Sequence, residues 1–223
     1  MLCFNLTLLQ SLSLLLTPAR SPMTGLRVKS TRCTSSISSM ALPNSRTFDL
    51  NLGLSRTHVL VTGGYGMIGK IVVQAFLAAG GHVTVLDIND RSPFDVEDDE
   101  KIFYVKTDIA NAEQVEAAFN SAEARFGPVL TCVALASLDL SVLSQCESLA
   151  DMEPTTWQRV FDVNINGTFN TCRSWLRSVR RAVSHPGEAV NLRNVCLIIM
   201  GSESGRFGVR TMAAYAAGKS AVQ

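Results

Sequence analysis

From residue 57 onward, short unbroken apolar runs alternate with longer stretches that carry helical spacing. The run THVLVTGG (57–64) is apolar, β-rich and ends in glycines, which predicts a buried strand. In GMIGKIVVQAFLAAGG (66–81), Ile68, Ile71, Val72, Ala75 and Ala79 recur at helical spacing, and Gly80-Gly81 close the helix. HVTVLDI (82–88) and IFYVKTD (102–108) predict the second and third strands, separated by an acidic loop around DVEDDE (95–100). Asn111 is placed to cap a helix over 112–126 that stops at Gly127-Pro128. VLTCVALA (129–136) predicts the fourth strand. Pro154 suits the first turn of one long helix running to about Arg181. After a loop over 184–194, VCLIIMGS (195–202) predicts a fifth strand, and an Ala-rich helix holding Tyr215 follows.

The strands are continuous apolar runs, without polar–apolar alternation. That pattern belongs to parallel strands covered on both faces. The expected fold is therefore α/β, a doubly wound parallel sheet of Rossmann type with five strands. No repeat with a period of about 20–50 residues is present, which excludes a solenoid.

A chain of 223 residues suits one domain plus additional sequence, and 47% apolar residues suffice for a sizeable core. The domain is read as 51–223. A net charge of +1 gives no reason to expect nucleic acid or an anionic membrane as partner, and leaves small molecules as the expected ligands. The six cysteines show no C-x-x-C pair. Cys132 and Cys196 lie in apolar runs and are expected to be reduced core thiols of an intracellular protein. The three histidines have no ligand-like companions, so no metal site is expected.

Residues 1–50 differ in character. The stretch up to residue 56 holds Arg20, Arg27, Lys29, Arg32, Arg46 and Arg56 against the single acid Asp49. LTLLQSLSLLL (6–16) is too short to span a bilayer. An acid-poor leader with Arg and Ser fits an organelle transit peptide. It fits equally an unused upstream start ahead of Met40, or disorder. A mitochondrial address follows from the first reading and a cytoplasmic one from a start near Met40.

VTGGYGMIGK (61–70) lies between a strand and a helix, where a dinucleotide fingerprint belongs. Gly64-x-Gly66-x-x-Gly69 and Gly63-x-x-Gly66-x-x-Gly69 fit equally. Such a turn lets the backbone approach a pyrophosphate seated on the helix N-terminus. Asp87 ends the second strand, where a carboxylate accepts hydrogen bonds from both ribose hydroxyls and repels a 2′-phosphate. That favours NAD over NADP; Arg91, close by in sequence, weakens the preference. Asp108 is placed either to meet the adenine edge or to serve as a simple turn aspartate.

Tyr215 and Lys219 stand at i and i+4, on one helix face. A free phenol titrates near pH ~10, but an adjacent ammonium stabilises the phenolate. The phenol can then exchange a proton with a carbinol or carbonyl oxygen. Ser202 ends the fifth strand and can hydrogen-bond the same oxygen. Asn164, mid-helix in VNINGTF (163–169), is unfavourable by propensity, which points to a role.

Together TGGYGMIG, Asp87, Asp108, NINGTF, Ser202 and YAAGK resemble the short-chain dehydrogenase/reductase family over about residues 57–223. The resemblance implies an NAD(P)-dependent oxidoreductase that interconverts an alcohol and a carbonyl. It implies Tyr215 as acid–base, Lys219 holding the nicotinamide ribose and favouring the phenolate, Ser202 orienting the substrate oxygen, and Asn164 anchoring a proton-relay water. It places Gly63, Gly64, Tyr65, Gly66, Met67, Ile68, Gly69, Asp87, Asp108, Ile109, Ala134, Ala136, Tyr215 and Lys219 around the cofactor. For a complete protein it implies a homo-oligomer.

Three departures qualify the resemblance. The 63-66-69 glycine spacing is like the extended, epimerase-type branch. Ala134-Leu135-Ala136-Ser137 stands where the family has Asn-Asn-Ala-Gly, so bracing Asn contacts are lost. The family also continues past the point where this chain stops at Gln223, with more helix, a sixth strand, a substrate loop and a seventh strand. On that ground the chain is expected to be truncated at its C-terminus, with an open edge on the fifth strand and a marginal final helix. An epimerase- or dehydratase-like enzyme and a truncated nucleotide-binding protein without activity stay open beside the oxidoreductase. The segment 137–156 is expected to border the substrate pocket, and its Leu, Ser and Asp suit a small ketone as well as a sugar.

Overall fold

Valine-rich runs flanked by glycine become strands because branched side chains pack well on a pleated surface. In a computed structural model describing residues 52–90, 100–138, 148–184 and 192–223, five such runs form one parallel sheet in the order β3-β2-β1-β4-β5. The strands are β1 (His58–Thr62), β2 (His82–Asp87), β3 (Ile102–Lys106), β4 (Thr131–Ala134) and β5 (Cys196–Ile199). All pairs are parallel, and one rung of the ladder runs Val85, Val61, Val133, Ile198. The leader, Arg91, nearly all of the acidic loop and residues 139–147 lie outside the described residues.

Helices α1 (Met67–Ala78), α2 (Ala112–Phe126), α3 (Pro154–Phe161), α4 (Thr168–Ser184), α5 (Ser204–Phe207) and α6 (Ala213–Ala221) connect and follow the strands. The pleat sends alternate residues to opposite faces, and two cores result. Val59, Val61, Val83, Val85 and Val133 meet Val73, Phe76 and Leu77 of α1. Leu60, Leu86 and Cys132 meet Val115, Ala118, Phe119 and Ala122 of α2 and Trp175 of α4 on the other face. Over β1, β2 and β4 both faces are covered, as the continuous apolar runs predict, whereas β5 leaves Cys196, Ile198 and Ile199 exposed. Asn111 caps α2, its Oδ1 accepting from the Glu113 and Gln114 N–H groups at 3.0 Å each, and Pro154 opens α3.

Several local expectations are corrected. The strands are shorter than the apolar runs, and β3 ends at Lys106, before Asp108. Helix α1 buries Gly69 and Val73, while Ile68 and Ile71 face out. Gly69 has no side chain, so that face comes closest to the sheet and the periodic isoleucines turn away. Cys196 is exposed: its side chain points to a face of the sheet, and β4 is the element that β5 mainly contacts among the described residues. The long helix breaks into α3, a π segment over Asp162–Gly167, and α4. The four-residue α5 has no hydrophobic period to announce it. Among the described residues no helix is long and apolar enough to cross a membrane.

Candidate active site

The glycine turn joins β1 to α1, and each of its glycines has its own reason. Gly63 adopts φ +67°, and a Cβ there would sit 2.8 Å from Ala136 Cα. At Gly64 a Cβ would meet Val85 Cγ1 at 2.6 Å, and at Gly69 it would meet Gly63 O at 2.0 Å. Packing demands all three, and at Gly63 the positive φ demands glycine as well. Gly66 is different: a Cβ there would meet only Gly63 O, at 3.2 Å, and the residue is exposed. It is the N-cap of α1, with no side-chain cap and no acid in the first turn. The first N–H groups of a helix have no intrahelical partner, so this end presents open donors and a favourable dipole to an anion. Met67 and Ile68, 75% and 50% exposed, flank that end.

Asp87 stands at the end of β2, beside the turn, and is nearly buried. Its Oδ2 accepts the Tyr65 N–H at 3.0 Å, and its Oδ1 accepts the Asn89 N–H and Nδ2–H at 3.0 Å each. Thr62 Oγ1 accepts the N–H groups of Leu135 and Ala136 at 3.2 Å, so β1 braces the segment after β4 without the family's asparagines. Asp108 acts on its own turn: its Oδ1 accepts the Ala110 N–H at 2.9 Å, and its N–H donates to Gln114 Oε1. Ile109 is buried, and its carbonyl accepts from Asn170 Nδ2 at 3.0 Å. Gly167 packs on the Ile109 side chain so closely that a Cβ there would lie 2.6 Å from Cδ1. Ala134 closes β4, and its carbonyl accepts the Met200 N–H at 3.2 Å.

Of the four residues singled out for chemistry, Asn164 comes from the π segment and Tyr215 and Lys219 from α6, while Ser202 does not end β5 as expected but lies in the loop between β5 and α5. Asn164 lies in the π segment and is 2% exposed. Its Oδ1 accepts the Leu138 N–H at 2.7 Å, and its Nδ2 donates to the Leu138 carbonyl at 3.0 Å. The extra residue of a π turn leaves backbone carbonyls poorly served. Thr168 and Thr171 hydroxyls donate to the Asn164 and Gly167 carbonyls at 2.8 and 2.9 Å. Helix α6 then packs on this segment through Gly218, whose Cβ would meet Asn164 Cβ at 3.3 Å.

Lys219 is 4% exposed, and its Nζ donates to the Met200 carbonyl at 2.9 Å. The same Nζ lies 5.7 Å from the centroid of the Tyr215 ring. A buried ammonium interacts more strongly with nearby charge than a solvated one does. The Tyr215 hydroxyl makes no hydrogen bond among the described residues. Ser202 Oγ accepts from Ser204 N–H at 3.2 Å and from Ser204 Oγ–H at 2.7 Å, leaving its own proton to donate. The Gln223 side-chain amide donates to the Ser202 carbonyl.

A cleft of about 410 Å³ is lined by Ser148, Leu149 and the run Val209–Ala213 that leads into α6, with none of Asn164, Ser202, Tyr215 and Lys219 in its lining. Sequence reasoning missed Leu138, Met200 and Ser204. The first two act through backbone atoms, which leave no mark in the choice of side chain. Ser204 carries the S-x-S spacing to Ser202 as its only signal.

A family model described as short chain dehydrogenase matches residues 57–223. The chain belongs to the short-chain dehydrogenase family. The 3-oxoacyl-[acyl-carrier-protein] reductase MabA of Mycobacterium tuberculosis (strain ATCC 25618 / H37Rv) is 30% identical to it over 164 residues, covering 74% of this chain and 58% of the relative. The 2-(S)-hydroxypropyl-CoM dehydrogenase 3 of Xanthobacter autotrophicus is 28% identical over 169 residues, covering 74% and 60%. The chain thus spans less than two thirds of these relatives. Among solved structures, gox2181 superposes with a TM-score of 0.65 at 27% identity, over 76% of this chain and 63% of that one. The 3-ketoacyl-(acyl-carrier-protein) reductase of Brucella melitensis, solved with NADH, shares the fold at TM-score 0.65 and 21% identity, over 76% and 66%. This short-chain dehydrogenase is an enzyme by lineage, within a group of oxidoreductases.

Proposed function

We propose that the chain carries the cofactor and acid–base centre of an NAD-dependent oxidoreductase that interconverts an alcohol and a carbonyl. The observation that carries this reading is the Tyr215 phenol, without a hydrogen bond among the described residues and one turn from a buried ammonium fixed on the Met200 carbonyl. Gly66 and the uncapped start of α1 supply a seat for the cofactor diphosphate. The carboxylate of Asp87 supports NAD over NADP, since a 2′-phosphate beside it meets like charge. Gly63, Tyr65, Asp108, Ile109, Ala134 and Ala136 border the same end of the sheet. The NADH bound by the Brucella reductase accords with this assignment.

A bound nicotinamide supplies or accepts the hydride. In the reducing direction, Ser202 donates its free proton as a hydrogen bond to the carbonyl oxygen and orients it. Tyr215 transfers its phenolic proton to that oxygen as negative charge develops there. The Lys219 ammonium stabilises the phenolate left behind. In the oxidising direction the phenolate takes the carbinol proton. Asn164 holds the π segment and α6 in register, and a water bound on that segment relays the proton to solvent.

The cleft beside Leu149 and Met212 receives the substrate, a small alcohol or ketone or a sugar. The exposed Phe169, Leu176 and Val183, seven residues apart on α4, support a homo-oligomer. An intracellular compartment suits the nicotinamide chemistry and the free thiols of Cys132 and Cys172.

The test is Tyr215→Phe. It should lower kcat for NADH-dependent carbonyl reduction by about 10²–10⁴-fold while NADH binding and melting temperature stay unchanged. Full activity in that variant would refute the acid–base assignment. Net NADH formation from an alcohol would separate this enzyme from a redox-neutral epimerase.

A further inference from the structure

A closed circuit of contacts surrounds Asp87, and it includes a residue with no place in the mechanism above. The Tyr104 ring, on β3, stacks on the Tyr65 ring with centroids 4.9 Å apart and an interplanar angle of 22°. The Tyr104 hydroxyl donates toward the carbonyls of Asp87, at 3.3 Å, and Asn89. Asn89 in turn donates twice to Asp87 Oδ1, and the Tyr65 N–H donates to Oδ2. The circuit therefore runs from the glycine turn through the carboxylate and the β2 exit to Tyr104, and back through the two rings. Both aromatic residues flank the face that carries the Val83, Val85 and α1 core. Burial, with Tyr65 and then the charges of Asp90 and Asp87 nearby, pushes the Tyr104 phenol up to about 12, so it stays a donor across the physiological range.

Two consequences follow for a group approaching Asp87. Both carboxylate oxygens already have fixed N–H partners, so their remaining lone pairs point in set directions. A ribose diol can use them without reorganisation, which favours binding. A 2′-phosphate would bring negative charge to a carboxylate already fixed by three N–H donors. Lys106 is paired in register with Asp87, but its ammonium is held on Asp90.

We infer that Tyr104 is a positioning residue for cofactor choice: through its stack on Tyr65 and its phenol on the β2 exit, it holds Asp87 in the orientation that accepts a ribose diol and rejects a 2′-phosphate. This rests on the cofactor reading above and names a determinant outside the glycine turn and Asp87.

The full chain is titrated with NADH and NADPH, following nicotinamide fluorescence, as wild type, Tyr104→Phe and Tyr104→Leu, with melting temperature measured in parallel. Tyr104→Phe keeps the stack and loses the phenol bonds. It should weaken NADH about three- to tenfold, the scale of one or two hydrogen bonds, with NADPH little changed. Tyr104→Leu should narrow the NADH/NADPH ratio further. A residue that only supports the fold would lower the melting temperature and weaken both cofactors in proportion. A constant ratio across the three proteins therefore overturns the inference, and so does a wild type that prefers NADPH, though that leaves the oxidoreductase reading standing. Binding of neither cofactor by the wild type removes that reading and the inference with it.

Discussion

The two ends of the sheet are built differently. On the β1–β2 side, every residue of β1 is buried, and the turn that follows is packed so tightly that three glycines have no room for a methyl group. On the β5–α6 side, Cys196, Ile198 and Ile199 are exposed, and order comes from a few polar links and close backbone approaches. Lys219 reaches Met200, Ser204 reaches Ser202, and a Cβ on Gly205 would lie 2.6 Å from the Lys219 carbonyl carbon. Hydrophobic burial is worth about 1.5–3 kcal/mol per large side chain, and a typical hydrogen bond nets about 1 kcal/mol. The cofactor end is thus held by the core itself, while the acid–base end is held by contacts that individually contribute little. Substitutions at the first should unfold the protein, and substitutions at the second should alter chemistry.

The sharpest way to break this contrast is within the glycine turn. Gly69→Ala forces a methyl into the Gly63 carbonyl and should cost about 3 kcal/mol or more, read as a collapse of the urea midpoint. Gly66→Ala, three residues away, should leave that midpoint within about 1 kcal/mol and still weaken NADH about tenfold. If Gly66→Ala also unfolds the protein, Gly66 is a packing glycine like its neighbours and the open cradle is an illusion.

That pair also shows how much could be read ahead of the structure. The parallel, helix-covered sheet is legible in the succession of apolar runs, since Val59, Val61, Val83 and Val85 can satisfy both faces of a sheet only in that arrangement; the order β3-β2-β1-β4-β5 is not. The glycine turn is legible because close packing at Gly63, Gly64 and Gly69 restricts the residue type, and Asp87 is legible as the last residue of β2. The inward face of α1 is not: the periodic Ile68 and Ile71 mark a hydrophobic stripe, but Gly69 decides which side can come close. The break at Asn164 is half legible. Asparagine in mid-helix is conspicuous, yet a π turn depends on partners at Leu138, Thr168 and Thr171 that propensity does not see. Tyr104 sits in an apolar strand and gives no sign that its hydroxyl reaches the exit of β2.

A second test probes the buried end by pH. His58 starts β1, its Nδ1–H donating to the Gly127 carbonyl at 2.8 Å and its Nε2 accepting from the Thr84 hydroxyl at 2.9 Å. Burial lowers its pKa from 6.5 to about 4, with the Gly127 hydrogen bond opposing the shift and His82 adding to it. Between those values the unfolded chain binds a proton that the folded chain refuses. Stability is therefore full above pH 6.5 and falls as pH drops toward about 4, by roughly 3 kcal/mol over the window. His58→Gln should be less stable at neutral pH but lose this slope between pH ~7 and ~5. An unchanged slope in the variant would mean that His58 is already solvated.

The smallest effect is the most direct comparison of the two ends, because one rung of the ladder crosses both. Val61, Val133 and Ile198 are register partners on β1, β4 and β5. Val61 is fully buried, and Ile198 is 36% exposed. Val61→Thr places a hydroxyl where the surroundings are valine side chains, and should cost about 1–3 kcal/mol. Ile198→Thr gives its hydroxyl access to water and keeps a β-branched side chain suited to a strand, so its cost should stay within about 0.5 kcal/mol. Urea denaturation of both variants measures the difference. Similar costs at the two positions would mean that β5 is covered in solution by protein outside the described residues, and the contrast between the two ends would then belong to this chain alone and not to the assembled enzyme.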